Sequence, residues 1–291
     1  MPGSEERVQQ LYEQSWPAPA KLNLFLHIIG QREDGYHLLQ TVFQFLDYAD
    51  NLRFEGRQDS RILRSEGPPE VDPEHDLVVR AARLLQSETG AQQGVNIQIE
   101  KKLPIGGGLG GGSSDAATTL VALNILWQTG LTTGQLAELG LQIGADVPVF
   151  IHGLASWAEG VGEQLTPVEL DQPWFLVLIP PVTVSTAKVF SDSELTRNTH
   201  PIKIPDFLAG AGKNDCELVV CQRYPEVAES LEWLRQFGDA RMTGTGACMF
   251  LSFPNEADAQ AVAAQMPEQW SGFVARGMNR SPLLEILEGL S

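Results

Sequence analysis

The stretch from Lys101 to Leu120, KKLPIGGGLGGGSSDAATTL, holds six glycines between Gly106 and Gly112 and opens through two serines into an alanine-rich apolar run. Glycine costs backbone entropy, so such a run weakens an ordinary loop. It is useful where successive N–H groups must converge on one anion, because side chains would block the approach. A helix directly after it adds unpaired N–H groups and the positive end of a dipole at the same place. Ser113 and Ser114 supply hydroxyl donors or oxygen ligands for Mg2+, and Asp115 either favours the helix start or stands near a metal. The pattern offers phosphate binding, with Pro104, Gly106, Gly107, Gly108, Leu109, Gly110, Gly111, Gly112, Ser113 and Ser114 as the cradle.

Four further groups could bear on such chemistry. Asp146, in Gly144-Ala145-Asp146-Val147-Pro148, reads as a loop carboxylate before a strand, with Val147, Val149 and Phe150 placed to desolvate it in part. Lys21 stands in an apolar strand, where a lone lysine ordinarily snorkels or covers an edge. Tyr36 and His37 follow an Asp34-Gly35 turn and, taken alone, are a packing corner. Gly244-Thr245-Gly246 is a second glycine-rich element, read alone as a tight hairpin or bulge.

The elements that must position these residues follow from periodicity and punctuation. Pro17–Gly30 is a Leu/Ile/Phe-rich strand, and one or two strands follow the turn at Asp34-Gly35. Asp76–Gly90 carries Leu77, Val78, Ala81, Leu84 and Leu85 on one helical face and stops at glycine. Val95, Ile97 and Ile99 alternate as in a strand; helices are expected from about Ser114 to Thr129 and over TTGQLAELGLQIG. The segment ADVPVFIHGLASWAEGVGEQLTPV reads as turn and strand, and WFLVLIPP as the first strand of a second domain. Strands cluster rather than alternate strictly with helices, so the expected class is α+β. The expected domains are 1–171 and 172–291.

The chain has 291 residues, 43% of them hydrophobic, which suffices for one large or two medium domains. Its formal net charge of −17 argues against a nucleic-acid binder, so an anionic ligand must be held by local donors. Cys216, Cys221 and Cys248 form no CxxC pair and read as buried thiols of a reducing compartment. The first fifteen residues lack an apolar signal core and no apolar run reaches membrane-spanning length, so a cytoplasmic protein is expected. The five histidines show no metal-ligand spacing.

Three phosphate cradles compete for the glycine run. A P-loop needs lysine after its last glycine, and Gly112 is followed by Ser113. A dinucleotide fingerprint is matched literally by Gly106, Gly108 and Gly111, but Lys101–Pro104 separates it from the preceding strand, and no acid stands about 20 residues on to hold a ribose. The third, P-x-G-x-G-L-G-[GS]-S-S, is that of the galactokinase, homoserine kinase, mevalonate kinase and phosphomevalonate kinase superfamily. Together with PAPAKLNLFLHIIGQREDGYH, IGADVPVFI and TGTGACMFLSF, in this order from Pro17 to Phe253, it resembles the family of 4-diphosphocytidyl-2-C-methyl-D-erythritol kinases.

That resemblance implies an N-terminal domain similar to a ribosomal-protein fold, a ferredoxin-like C-terminal α+β domain and an active site in the cleft between them. It implies Asp146 as catalytic base and Lys21 as its partner, with ATP and Mg2+ as co-substrate and ion. Asn23 is expected on the substrate's phosphates. Tyr36 and Phe190 would stack on the two faces of a cytosine, His37 would meet its edge, and Phe43 would close the pocket. Thr245 would donate to a phosphate. Where the family carries Asn before its adenine-side helix this chain has Asp76, which accepts hydrogen bonds but donates none when ionised; Lys101 is the other candidate there. The partner is a small molecule, neither nucleic acid nor membrane, and the assembly a monomer or homodimer. Three alternatives stay open: another alcohol kinase of the superfamily, a nicotinamide-dependent oxidoreductase and an RNA-binding module.

Overall fold

The computed structural model describes residues 11–290. In chain order its strands and helices are β1 (Trp16–Gln31), β2 (His37–Arg57), β3 (Ile62–Glu66), α1 (Leu77–Thr89), β4 (Gly94–Glu100), α2 (Gly111–Leu126), α3 (Thr133–Ile143), α4 (Val147–His152), β5 (Ser156–Glu159), β6 (Gln164–Pro167) and β7 (Trp174–Ile179). There follow α5 (Thr186–Ser191), α6 (Ile204–Leu208), α7 (Glu217–Arg223), α8 (Pro225–Arg235), β8 (Arg241–Met242), β9 (Met249–Phe253), α9 (Glu256–Ala263), β10 (Ser271–Met278) and α10 (Pro282–Leu290).

The long strand β2 organises the first half. It pairs antiparallel with β1, β4 and β5, while β3 runs parallel to β4. Helices α1 and α2 pack on each other against this sheet, and Leu85, Ile97, Leu120 and Phe150 meet in its core. Helix α1 starts where the Asp76 carboxylate accepts from the N–H of Val78 and stops at the left-handed Gly90. In the second half β7 lies between β10 and β9, and β9 pairs β8. The halves are stitched by β10, whose Gly277 and Met278 pair with Leu46 and Phe45 of β2, and by β1, whose Leu26 and Ile28 join the second core. We propose the division between the halves at 171/172, just before β7; α10 returns to place Leu283 in the first core.

Two sequence expectations are corrected. Val147–His152 is a helix, not a strand: Pro148 stands in its first turn, where no backbone N–H is needed, and Gly153 ends it in the left-handed region. A short continuous apolar run cannot be told from a buried strand by periodicity, and here Val147, Val149, Phe150 and Ile151 are all buried. Helix α2 begins at Gly111 rather than near Ser114, so the last two glycines of the run are its first turn. Cys216 and Cys248 are buried and Cys221 is partly so. Among the described residues, no helix is long and apolar enough to cross a membrane.

Candidate active site

The glycine run is clamped between the two halves. The N–H of Lys21 donates to the carbonyl of Leu109 at 3.0 Å, and the N–H of Cys248 donates to that of Gly107 at 3.1 Å. Gly108, at φ 78°, passes so close to the turn at 243–246 that a Cβ would sit 2.3 Å from the carbonyl oxygen of Thr243. At Gly110, φ 74°, a Cβ would meet the Phe150 ring at 2.7 Å and Cε of Lys21 at 3.1 Å. These are the positions where any side chain is excluded. Gly110 also caps α2 with no side chain, which leaves the N–H groups of the first turn free for an anion.

Lys21 projects from β1 beneath Gly110. Its ammonium donates to Oδ1 of Asn23 and, at 3.3 Å, to the carbonyl oxygen of Gly108, and it lies 3.3 Å from Oδ2 of Asp146. All three protons are thus directed, and the charge lies 5.1 Å from the ring centre of Phe43, which is buried under it. Asn23 in turn donates from Nδ2 to Thr41 Oγ1 at 3.0 Å and from its backbone to Thr243 Oγ1 at 2.9 Å. Asp146 is the residue before α4. Its side chain is 36% exposed, so it is partly covered and still open to the cleft, while Val147, Val149 and Phe150 turn into the core.

A second lysine meets the run one residue further on. A Cβ on Gly111 would lie 3.2 Å from Nζ of Lys101, whose ammonium bridges Asp50 and Asp115 at 2.6 Å each. Asp50 also accepts from the N–H groups of Lys102 and Leu103, at 2.6 and 2.8 Å. Burial pushes the Asp115 carboxyl up to about 7, against the pull of Lys101 and with the push of Asp50. Burial presses Lys101 down, but its two carboxylates more than offset that and raise it. One ammonium is thus shared by two buried carboxylates, and burial favours the protonated form of Asp115. Oδ1 of Asp115 and Oγ of Ser114 are buried without a hydrogen-bond partner.

One cleft of about 990 Å³ joins these groups. Lys21, Asp146 and the glycines line its middle; Asp76, Leu77 and Lys101 line one end, and Tyr36, His37 and Phe190 the other. At the first end Asp76 is held by Arg64 and by the N–H of Val78. At the second, Tyr36 is 61% exposed on the rim, and His37 lies against Phe190, with ring centres 4.9 Å apart and planes 21° from parallel. Phe190 thus meets His37 ring to ring, while the resemblance implies a cytosine between Phe190 and Tyr36. Thr245 shares a hydrogen bond with Thr186, Oγ1 to Oγ1 at 2.8 Å. Sequence reasoning missed Asp50, Thr243 and Arg197, whose Nε donates to Nε2 of His37 at 3.0 Å. Nothing in their local pattern marks them; each is set apart only by a partner distant in sequence.

Residues 76–154 match the GHMP kinases N terminal domain, and residues 204–272 match the GHMP kinases C terminal domain. A 4-diphosphocytidyl-2-C-methyl-D-erythritol kinase of Nitrosococcus oceani is 62% identical over 94% of this chain and 98% of its own. One of Halorhodospira halophila is 58% identical over 92% and 94%. A crystal structure of 4-(cytidine 5'-diphospho)-2C-methyl-D-erythritol kinase superposes with a TM-score of 0.78 at 32% identity, covering 91% of this chain and 99% of that one. On this identity and coverage, the chain belongs to the 4-diphosphocytidyl-2-C-methyl-D-erythritol kinase family.

Proposed function

We propose that the protein transfers the γ-phosphoryl group of ATP to the 2-hydroxyl of 4-diphosphocytidyl-2-C-methyl-D-erythritol, giving the 2-phosphate and ADP in the methylerythritol phosphate route to isoprenoid precursors. The observation that carries this reading is the single cleft in which the Lys21–Asp146 couple stands between a glycine cradle and an aromatic end. The triphosphate lies along Gly106–Ser114, on free N–H groups of the run and of α2. The acceptor hydroxyl enters beside Asp146. As its oxygen bonds to the γ-phosphorus, its proton passes to the carboxylate, and the bond from that phosphorus to the bridging oxygen of ADP breaks. Lys21, fixed by Asn23 and Gly108, holds Asp146 in line and opposes the charge that gathers on the attacking oxygen. A tertiary alcohol is crowded and weakly acidic, so placement matters as much as basicity.

Asn23 and Thr245 serve the phosphates. Tyr36, His37 and Phe190 form the cytidyl end, which Phe43 closes from beneath Lys21, and Asp76 with Lys101 forms the adenine end. Asp76 can accept from the adenine amino group and donates nothing. Oxygen donors suit Mg2+, and the Ser113 hydroxyl, which lines the cleft beside the glycine run, is the protein atom that would hold it; when bound it would neutralise phosphate charge. The assembly is a monomer or homodimer in the cytoplasm. A dinucleotide oxidoreductase is not favoured: the relatives are kinases, and residues 101–105 part the run from β4. The test offers ATP with the cytidyl alcohol, homoserine or mevalonate in turn. The expected result is turnover of the cytidyl compound alone; turnover of either other alcohol without it would reassign the substrate.

A further inference from the structure

We propose that Arg197 is the positioning residue of the cleft's aromatic end: it sets which nitrogen of His37 carries the proton and fixes Phe190 beside it. The inference rests on the proposed function for the identity of the ligand, but not for the geometry. Nε of Arg197 donates to Nε2 of His37 at 3.0 Å. Arginine has no acceptor, so Nε2 must present its lone pair and the ring proton must stand on Nδ1. Among the described residues Nδ1 has no protein partner, and His37 lines the cleft. The ring therefore offers a ligand one N–H donor of fixed place. Burial and the neighbouring guanidinium both lower the imidazole's affinity for a second proton, which keeps that donor single.

The rest of the guanidinium is spent on the segment that bears Phe190. One terminal nitrogen donates to the carbonyls of Phe190 and Asp192, each at 2.8 Å, and the other donates to that of Leu195 at 3.0 Å. Phe190 lies in the last turn of α5, and Asp192 and Leu195 follow it, where helical carbonyls lack partners and a cation is favoured. His37 belongs to β2 in the first half and Phe190 to α5 in the second. One side chain thus holds both walls of the aromatic end in register, and their rings stack across the junction. The complement of this wall is a flat ring with an acceptor on its edge, as the O2 or N3 of cytosine provides. A ring with a donor at the contacted position would face N–H against N–H and be rejected.

The experiment combines a long-range proton–nitrogen spectrum of histidine-labelled free protein near neutral pH with calorimetric titration of cytidine diphosphate. The wild type is expected to show His37 protonated on Nδ1 alone. Arg197→Lys keeps the charge but cannot reach all these acceptors; it should lose the single tautomer and weaken cytidine diphosphate about ten- to a hundredfold, the loss of one well-placed hydrogen bond, with ATP binding unchanged. Arg223→Ala is the control, since Arg223 holds the Asp192 carboxylate, at 3.0 Å, and does not touch His37. It should loosen the same segment and leave the tautomer intact. A wild-type His37 protonated on Nε2, or Arg223→Ala reproducing the whole effect, overturns the proposal. Failure of cytidine diphosphate to bind the wild type overturns the substrate reading instead, while the spectrum still decides Arg197.

Discussion

Two lysines meet the glycine run at successive residues, Lys21 under Gly110 and Lys101 against Gly111, and they do different work. Lys21 has one carboxylate, Asp146, which looks into the cleft with a side chain 36% exposed. Lys101 has two, Asp50 and Asp115, both buried, and Asp50 is further tied to two backbone N–H groups. The first couple is open to the cleft, with room beside it for a hydroxyl, whereas the unpartnered oxygen of the second is buried. The second is a closed knot that fixes the end of β4 to the start of α2. An acid–base couple and a structural brace can therefore use the same residue types. Access and the ratio of carboxylates to ammonium separate them.

The comparison breaks most sharply at Asp146. Asp146→Asn keeps size and polarity but accepts no proton. We expect kcat to fall by roughly 10²- to 10⁴-fold, the usual contribution of general base catalysis, with unchanged thermal stability and ATP affinity in calorimetry. Lys101→Met should do the reverse in kind. It leaves two buried carboxylates without their cation and should cost about 3–5 kcal/mol of stability in denaturant titration. A mild effect there would mean that the knot is not a brace.

Gly110→Ala tests the seam between the two couples. Its Cβ would press on Phe150 and on Cε of Lys21 from a left-handed backbone, so we expect a loss of about 1–3 kcal/mol and reduced turnover. Gly112→Ala, whose Cβ would meet only Leu77 at 3.4 Å, should be tolerated far better. The smallest effect is a pH dependence. The folded Asp115 carboxyl sits at about 7, above its ordinary 3.8, so the folded state holds a proton that the unfolded chain has released. Stability from this group is full below about pH 4 and is lost as pH rises through about 7. Melting curves over that range should show the decline, and Asp115→Asn should flatten it.

Much of the chemistry was legible because it is local. The glycine run, its serines and the helix after it lie in one short motif, whereas Asp146 alone reads as a loop carboxylate and owes its assignment to the resemblance. The partners were not legible, because they come from afar: Lys101 and Asp50 are 51 residues apart, and Arg197 and His37 are 160 apart. Periodicity reports which face of an element is buried, never which distant side chain meets it there. It also failed on α4, since Val-Pro-Val-Phe-Ile is apolar throughout and carries no phase.

The most direct test of the central claim is a co-crystal structure with a non-hydrolysable ATP analogue and 4-diphosphocytidyl-2-C-methyl-D-erythritol. The triphosphate should lie on the N–H groups of Gly106–Ser114, with the terminal phosphorus facing the substrate's 2-hydroxyl and that hydroxyl within hydrogen-bond reach of Asp146. A triphosphate bound away from the glycine run, or a 2-hydroxyl remote from both Asp146 and Lys21, would contradict the account.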